Sequence, residues 1–168
     1  LHQAFITDTI GHALDTDADV RLYYADLPDR TRLVKIVSEY LNKKLTGKRA
    51  IAFKDGFTSC EMALERWGLR VEKIFQDCFA AGSKHVLEIG SRTPAVKTSK
   101  LNRALRMLKE GEAIFGPTPE GRYYVIGMTG EYKVELSKFD WKSPSIYSEV
   151  SDAFTKEGLA WAELEIWY

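Results

Sequence analysis

Residues 85–128 read HVLEIGSRTPAVKTSKLNRALRMLKEGEAIFGPTPEGRYYVIGM, and this stretch decides the predicted fold. Its pattern predicts a buried strand over 85–89, a helix over 98–109, and strands over 113–115 and 123–128. The first strand, the helix and the second strand have about the length that a right-handed parallel crossover requires. The stretch therefore predicts an α/β sheet whose strands are connected by helices.

The same alternation extends along the chain in both directions. Apolar spacing predicts earlier helices over 1–14, 31–45 and 62–81 and short strands over 20–25 and 49–53. After the stretch, Ser143-Pro144 provides an N-cap and a proline at the first helical position, which predicts a helix through about Lys156 and a final strand over 160–168. Strands alternating with helices are typical of a mostly parallel sheet covered on both faces, a three-layer α/β/α fold.

Length and charge limit the class of protein. The chain has 168 residues, which predicts a single α/β domain over 1–168. Lys plus Arg and Asp plus Glu total 24 each, so no net positive field is available to attract nucleic acid or an anionic membrane. The apolar runs are far shorter than the roughly 20 residues of a membrane span, and no signal-peptide pattern is visible, so we expect a cytoplasmic protein.

Two loops carry residues suited to binding a ligand. In open α/β sheets, ligands bind beyond the carboxyl ends of the strands. The loop 90–94 (GSRTP) brings a glycine, two hydroxyls and an arginine to a strand end, and the loop 116–124 (GPTPEGRYY) combines stiff prolines with an acid, a base and two tyrosines. Such groups can bind a phosphate or a sugar hydroxyl. The alternative is that both loops are tight turns without a ligand.

A methyltransferase is a weaker alternative. Residues 86–90 (VLEIG) imitate the strand and first glycine of an S-adenosylmethionine site. The further glycines that such a site needs do not follow, because Ser91-Arg92-Thr93-Pro94 comes next.

Five passages resemble a known family. They are LHQAFITDTI (1–10), WGLRVEKIF (67–75), HVLEIGSRTP (85–94), GPTPEGRYYVIGM (116–128) and DWKSP (140–144). These passages resemble motifs of the bacterial glycosyltransferase-A-like proteins of the nucleotide-diphospho-sugar transferase superfamily, which include transferases associated with radical-SAM and selenoprotein-type gene clusters.

The resemblance implies a sheet that binds a nucleotide or nucleotide sugar, usually with Mg²⁺ or Mn²⁺, and that transfers a glycosyl or nucleotidyl group. It implies no particular catalytic residue. It also implies that the 168 residues lack the family's first strand, before Leu1, and a short segment after Tyr168. The ligand-binding residues that it implies are Arg70, Ser91, Arg92, Thr93, Gly116, Pro117, Glu120, Gly121, Tyr123, Trp141 and Ser143.

Departures from the family pattern concentrate at the implied metal site. Arg92 replaces the expected Asp, Thr93 replaces a Cys, and Arg122 replaces a glycine. An arginine cannot ligate a metal ion. Two readings stay open: Arg92 meets the diphosphate in place of metal charge, or the protein is a catalytically inactive relative that acts as a binding or assembly module.

Overall fold

The structure, a computed structural model, describes residues 2–24, 27–40, 52–55, 67–90, 93, 95–130 and 134–167. These residues form two compact units. The first unit comprises the described residues within 1–62 and 91–102, and the second comprises those within 63–90 and 103–168. No helix in the described ranges is long and apolar enough to cross a membrane.

The first unit contains helices α1 (His2–Leu14) and α2 (Leu27–Tyr40) and strands β1 (Arg21–Tyr24) and β2 (Ala52–Asp55). The two strands pair in parallel. A small apolar cluster forms the core of this unit, and α1 contributes to it through the residues whose helical spacing was evident in the sequence. Its buried members are Ile6, Ile10, Leu14 and Ile36.

The second unit is built on a four-stranded sheet. Its strands are β3 (His85–Ile89), β4 (Ala113–Pro117), β5 (Tyr123–Thr129) and β6 (Trp161–Glu163), and their order is β3-β5-β4-β6. β5 pairs antiparallel with both β3 and β4, while β4 and β6 pair in parallel. The α/β class is confirmed, but the mostly parallel three-layer arrangement is not, because the chain turns back after β4 and inserts β5 between the two predicted crossover strands.

Three helices accompany this sheet: α3 (Trp67–Ala80), α4 (Thr98–Glu110), whose first residues belong to the first unit, and α5 (Ile146–Lys156). A single 3₁₀ turn covers Leu136–Lys138. The core combines residues from the central strands β4 and β5 with one stripe from each helix, the periodicities expected of a sheet and of amphipathic helices. Its largest fully buried side chains are Phe75, Leu108, Ile114, Phe115, Tyr124, Ile126, Met128, Leu136, Ile146, Phe154 and Leu164.

Several predicted boundaries were wrong. α2 begins at Leu27 rather than at residue 31, and β4 extends to Pro117 rather than ending at residue 115. The predicted helical residues 41–45 and 62–66 and the predicted strand residues 49–51 lie outside the described residues.

α5 begins at Ile146 rather than at Pro144, because the N–H of Ser143 is bonded to the carbonyl of Asp140 in a preceding turn. The final strand covers only Trp161–Glu163 of the expected 160–168. Beyond it the chain keeps single backbone hydrogen bonds to β4, from Leu164 and Trp167, without forming a continuous ladder.

Candidate functional site

One edge of the four-stranded sheet collects the ends of β3 and β4 and the beginning of β5. This follows from the pairing, since Ile89 lies opposite Val125 and Pro117 lies opposite Tyr123. The N–H of Gly90 also donates to the carbonyl of Tyr124 at 3.3 Å. The first residue after β3 and the loop after β4 therefore belong to the same edge of the sheet, where the sequence placed a ligand site.

The loop between β4 and β5 is a short hairpin closed by its own backbone. Thr118 donates its N–H to the carbonyl of Arg122 at 2.9 Å, and Gly121 donates to the carbonyl of Thr118 at 3.1 Å. Gly121 has φ +74°, a conformation that costs other residues about 1–2 kcal/mol. A Cβ at Gly121 would also collide with the carbonyl oxygen of Pro144. The glycine therefore fixes both the shape of the hairpin and its close contact with the segment before α5.

Tyr123 links three separate parts of the second unit. Its hydroxyl accepts a hydrogen bond from Nε1 of Trp67, at 2.9 Å, and donates one to the carboxyl group of Glu88. The direction of the bond between Trp67 and Tyr123 is fixed because an indole N–H can only donate. The Tyr123 ring also meets the ring of Trp141 edge-on, with the centroids 5.0 Å apart. The start of α3, strand β3 and the segment after the 3₁₀ turn are thus joined at one phenol.

Glu88 is a buried carboxyl group at this edge. It is 8% exposed, and burial raises its pKa from 4.5 to about 7, against the opposing effect of the hydrogen bond from Tyr123. Among the residues that the structure describes, no partner bonds its second oxygen, Oε2. Burial, and then the neighbouring Glu88 charge, raise the pKa of Tyr123 well above 10, so the phenol keeps its proton. Glu88 can therefore gain or lose a proton near neutral pH.

Sequence reasoning missed Glu88. The residue was treated as part of a buried strand. Because alternate strand residues share a face, Glu88 lies on the same buried face as Val86, and a carboxyl group on a buried face indicates a candidate functional residue. Its hydrogen bond to Tyr123 depends on the antiparallel pairing of β3 with β5, which the sequence did not reveal.

A groove of about 380 Å³ opens beside Trp67. One side is formed by the start of α3, and the other by the 3₁₀ turn and the residues that follow it. Gly68 allows these parts to approach, because a Cβ there would lie 2.6 Å from Nε1 of Trp141 and 2.7 Å from the carbonyl oxygen of Leu136. Trp141 donates its N–H to that same carbonyl at 2.8 Å and is buried.

Arg70 lies in the first turn of α3, close to the groove in sequence. It is 8% exposed, and its guanidinium carbon is 5.8 Å from the centroid of the Trp67 ring, the range of a cation–π contact. A buried arginine beside an aromatic ring keeps a fixed positive charge near the start of a helix.

The other predicted residues of the second unit have different environments. Gly116 and Pro117 are buried at the end of β4, where a Cβ on Gly116 would lie 2.6 Å from the Tyr124 ring. Glu120 is exposed in the hairpin. The Ser143 hydroxyl shares a 2.6 Å hydrogen bond with that of Ser145, so it supports the segment before α5.

The remaining predicted residues belong to the loop after β3. Thr93 is buried in the first unit, and its carbonyl accepts the N–H of Val96 at 3.1 Å. Ser91 and Arg92 lie outside the described residues. Their predicted contact with a ligand stays a prediction.

No group of three or more His, Cys, Asp or Glu side chains that could hold a metal ion occurs in the part of the chain that the structure describes. The Mg²⁺ or Mn²⁺ ion that the resemblance implies stays a prediction, since Ser91 and Arg92, at the implied metal position, lie outside the described residues.

Comparison with known proteins identifies a family and a protein of similar fold. Residues 15–143 match the model of a family described as "Uncharacterized protein conserved in bacteria (DUF2064)". The chain is also similar to a crystal structure of a protein from Desulfovibrio desulfuricans G20 that is described, by inference, as a nucleotide-diphospho-sugar transferase. The TM-score is 0.75 at 21% sequence identity, over 99% of this chain and 67% of the other. No curated protein matches the chain.

Proposed function

We propose, since the chain belongs to the bacterial family DUF2064, that it is a transferase of the nucleotide-diphospho-sugar type. In this proposal it binds a nucleotide or nucleotide sugar and transfers a glycosyl or nucleotidyl group to an acceptor. The similarity of fold supports a transferase-like protein in general, and the arrangement of the second unit supports this particular class.

One observation carries the proposal: the convergence of three sequence passages on Tyr123. The passage at the start of α3 contributes Trp67, the glycine-proline passage contributes Tyr123 itself, and the passage after the 3₁₀ turn contributes Trp141. These passages are far apart in the sequence and were selected by their resemblance to one family. Their meeting beside a groove, at the carboxyl end of β3, matches the position at which α/β sheets bind ligands.

Arginine side chains are the proposed counter-charges for the phosphates. Arg92 replaces the acidic residue of the resembled metal site, and Arg70 holds a positive charge near the groove. A guanidinium group binds two phosphate oxygens through parallel N–H donors, so it can neutralise a diphosphate without a metal ion. No step of the proposal uses a divalent ion, and its test includes Mg²⁺ and Mn²⁺ as separate conditions.

The test is the melting temperature of the full chain with a panel of nucleoside diphosphate sugars, nucleoside triphosphates and free sugars. A ligand that binds the folded state raises the melting temperature. We expect a shift with at least one nucleotide or nucleotide sugar, and its loss in Arg92→Ala. Arg106→Ala, an exposed arginine of α4, is the matched control and keeps the shift. No shift with any member of the panel, with or without either ion, would contradict the proposal.

A second candidate function is a non-catalytic binding or assembly module. It is favoured by Arg92, which stands where the resembled family has an acidic residue. The two functions differ in turnover: hydrolysis or transfer from a nucleotide sugar by the full chain, measured by mass spectrometry, supports the transferase and excludes the inactive module.

A further inference from the structure

We propose that the groove beside Trp67 is a binding subsite for a neutral sugar ring. The inference deepens the proposed function, because the sugar would be either the one transferred or the acceptor in that reaction. It rests on the exposure and fixation of Trp67, on the charges around the groove and on the groove's size.

Trp67 offers an exposed aromatic surface at the groove. It is 38% exposed, one of three large apolar side chains with this degree of exposure in the described ranges, and it lines the groove directly. Removing the apolar surface of an exposed indole from water is favourable, so a ligand that covers the ring forms a more stable complex. The apolar C–H face of a sugar ring can stack on the indole in this way.

The indole is held in place before any ligand arrives. Its N–H is bonded to the hydroxyl of Tyr123 at 2.9 Å, and the guanidinium of Arg70 lies 5.8 Å from the ring centroid. The hydroxyl of Tyr123 is in turn bonded to the buried carboxyl group of Glu88. A fixed ring loses less conformational entropy on binding than a mobile one, which favours a stacking role.

The charges of the described residues that line the groove favour a neutral ligand, and Arg70, whose positive charge lies next to Trp67, is not one of these residues. Two acids, Glu135 and Asp140, and two bases, Lys138 and Lys142, line the groove, so their formal charges cancel. Lys138 and Glu135 already form an ion pair with a 2.6 Å separation. A phosphate would gain no net attraction from such a lining. The phosphates of a nucleotide sugar are therefore expected outside this groove, and an uncharged part of a ligand inside it.

Hydroxyl-rich rings fit the polar groups better than nucleobases do. The polar lining side chains, among them Ser137, Asp140 and Lys142, can donate to or accept from sugar hydroxyls at several angles. Among the described residues that line the groove there is no Asn or Gln, the side chains that bind both donor and acceptor positions on a base edge. The volume of about 380 Å³ lies within the usual range of small-molecule sites.

The experiment is saturation-transfer NMR of the full chain with methyl glycosides of common neutral hexoses, and with uridine, adenosine, guanosine and cytidine as a second set. We expect at least one glycoside to bind and Trp67→Ala to weaken it about tenfold or more. Ile166→Ala, which removes another exposed apolar side chain, is the matched control and leaves binding unchanged. The melting temperatures of both variants, which alter exposed side chains, establish that they are folded.

Competition identifies the origin of the sugar. Displacement of the glycoside by a nucleotide sugar indicates the sugar of the donor, and simultaneous binding indicates an acceptor; both results support the inference. Binding of nucleosides without glycosides, or equal glycoside affinity in Trp67→Ala, overturns it. If no glycoside binds but nucleotide sugars raise the melting temperature, the subsite is wrong and the proposed function stands. Glycoside binding without any response to nucleotides supports the subsite and contradicts the transferase.

Discussion

Replacing Glu88 by glutamine should remove a large part of the pH dependence of stability. Burial raises the pKa of Glu88 from 4.5 to about 7, so the folded protein holds a proton there that the unfolded chain releases. The group therefore contributes stability that is fully present below about pH 4.5 and is lost as the pH rises to about 7. At about 1.4 kcal/mol for each unit of pKa, the loss amounts to about 3 kcal/mol.

Glutamine keeps the acceptor for the Tyr123 hydroxyl but carries no titrating proton. We expect Glu88→Gln to be more stable than the original protein at pH 8, with the difference shrinking towards acid pH. The assay is urea unfolding followed by fluorescence at several values between about pH 4.5 and pH 8. Glu120→Gln removes one exposed carboxyl group and controls for net charge. The raised pKa of Glu88 would be contradicted if the free energies of unfolding of Glu88→Gln and of the original protein differed by a constant amount across this pH range.

Two glycines give further predictions. Gly121→Ala should destabilise the protein by about 1–3 kcal/mol more than Gly82→Ala, since both have positive φ but only Gly121 faces a carbonyl, that of Pro144. Denaturant midpoints compare the two variants, and equal losses would contradict the close contact. Gly68→Ala should displace Trp141 and cost about 1–3 kcal/mol, despite the better helix propensity of alanine. An unchanged near-ultraviolet spectrum and stability in that variant would show that the groove is wider than the structure indicates.

Much of the secondary structure was predictable because the local patterns are strong. β3, β5 and most of α4 were placed within a residue or two, since buried strands and amphipathic helices leave periodic signals. Gly82 and Gly158 follow the ends of α3 and α5, and both have the positive φ that glycine adopts after a helix. Local signals of this kind do not depend on which strands become neighbours.

The sheet order was not predictable in the same way. The residues 118–122 connect β4 to an antiparallel neighbour, and a five-residue connection containing glycine is also a hairpin signal. The predicted fold includes no hairpin at this loop, because its polar and charged groups also predict a ligand site. The bond from Tyr123 to Glu88 depends on the resulting pairing, so the most perturbed carboxyl group of the site was missed with it.

The candidate site was partly predictable, through residues that resemble a family. Tyr123 and Trp141 were selected and lie together, and Arg70 lies beside Trp67. Glu120 is exposed and Ser143 bonds its own segment, and their contact with a ligand stays a prediction. Their roles depend on a bound molecule, which a pattern of residue types does not specify.

Calorimetric titration of the full chain with nucleoside diphosphate sugars measures directly whether the protein binds a nucleotide sugar. We expect saturable one-to-one binding of at least one such compound, weakened by Arg92→Ala and unaffected by Arg106→Ala. The absence of binding heat across the panel at several temperatures, with and without Mn²⁺, would contradict this expectation.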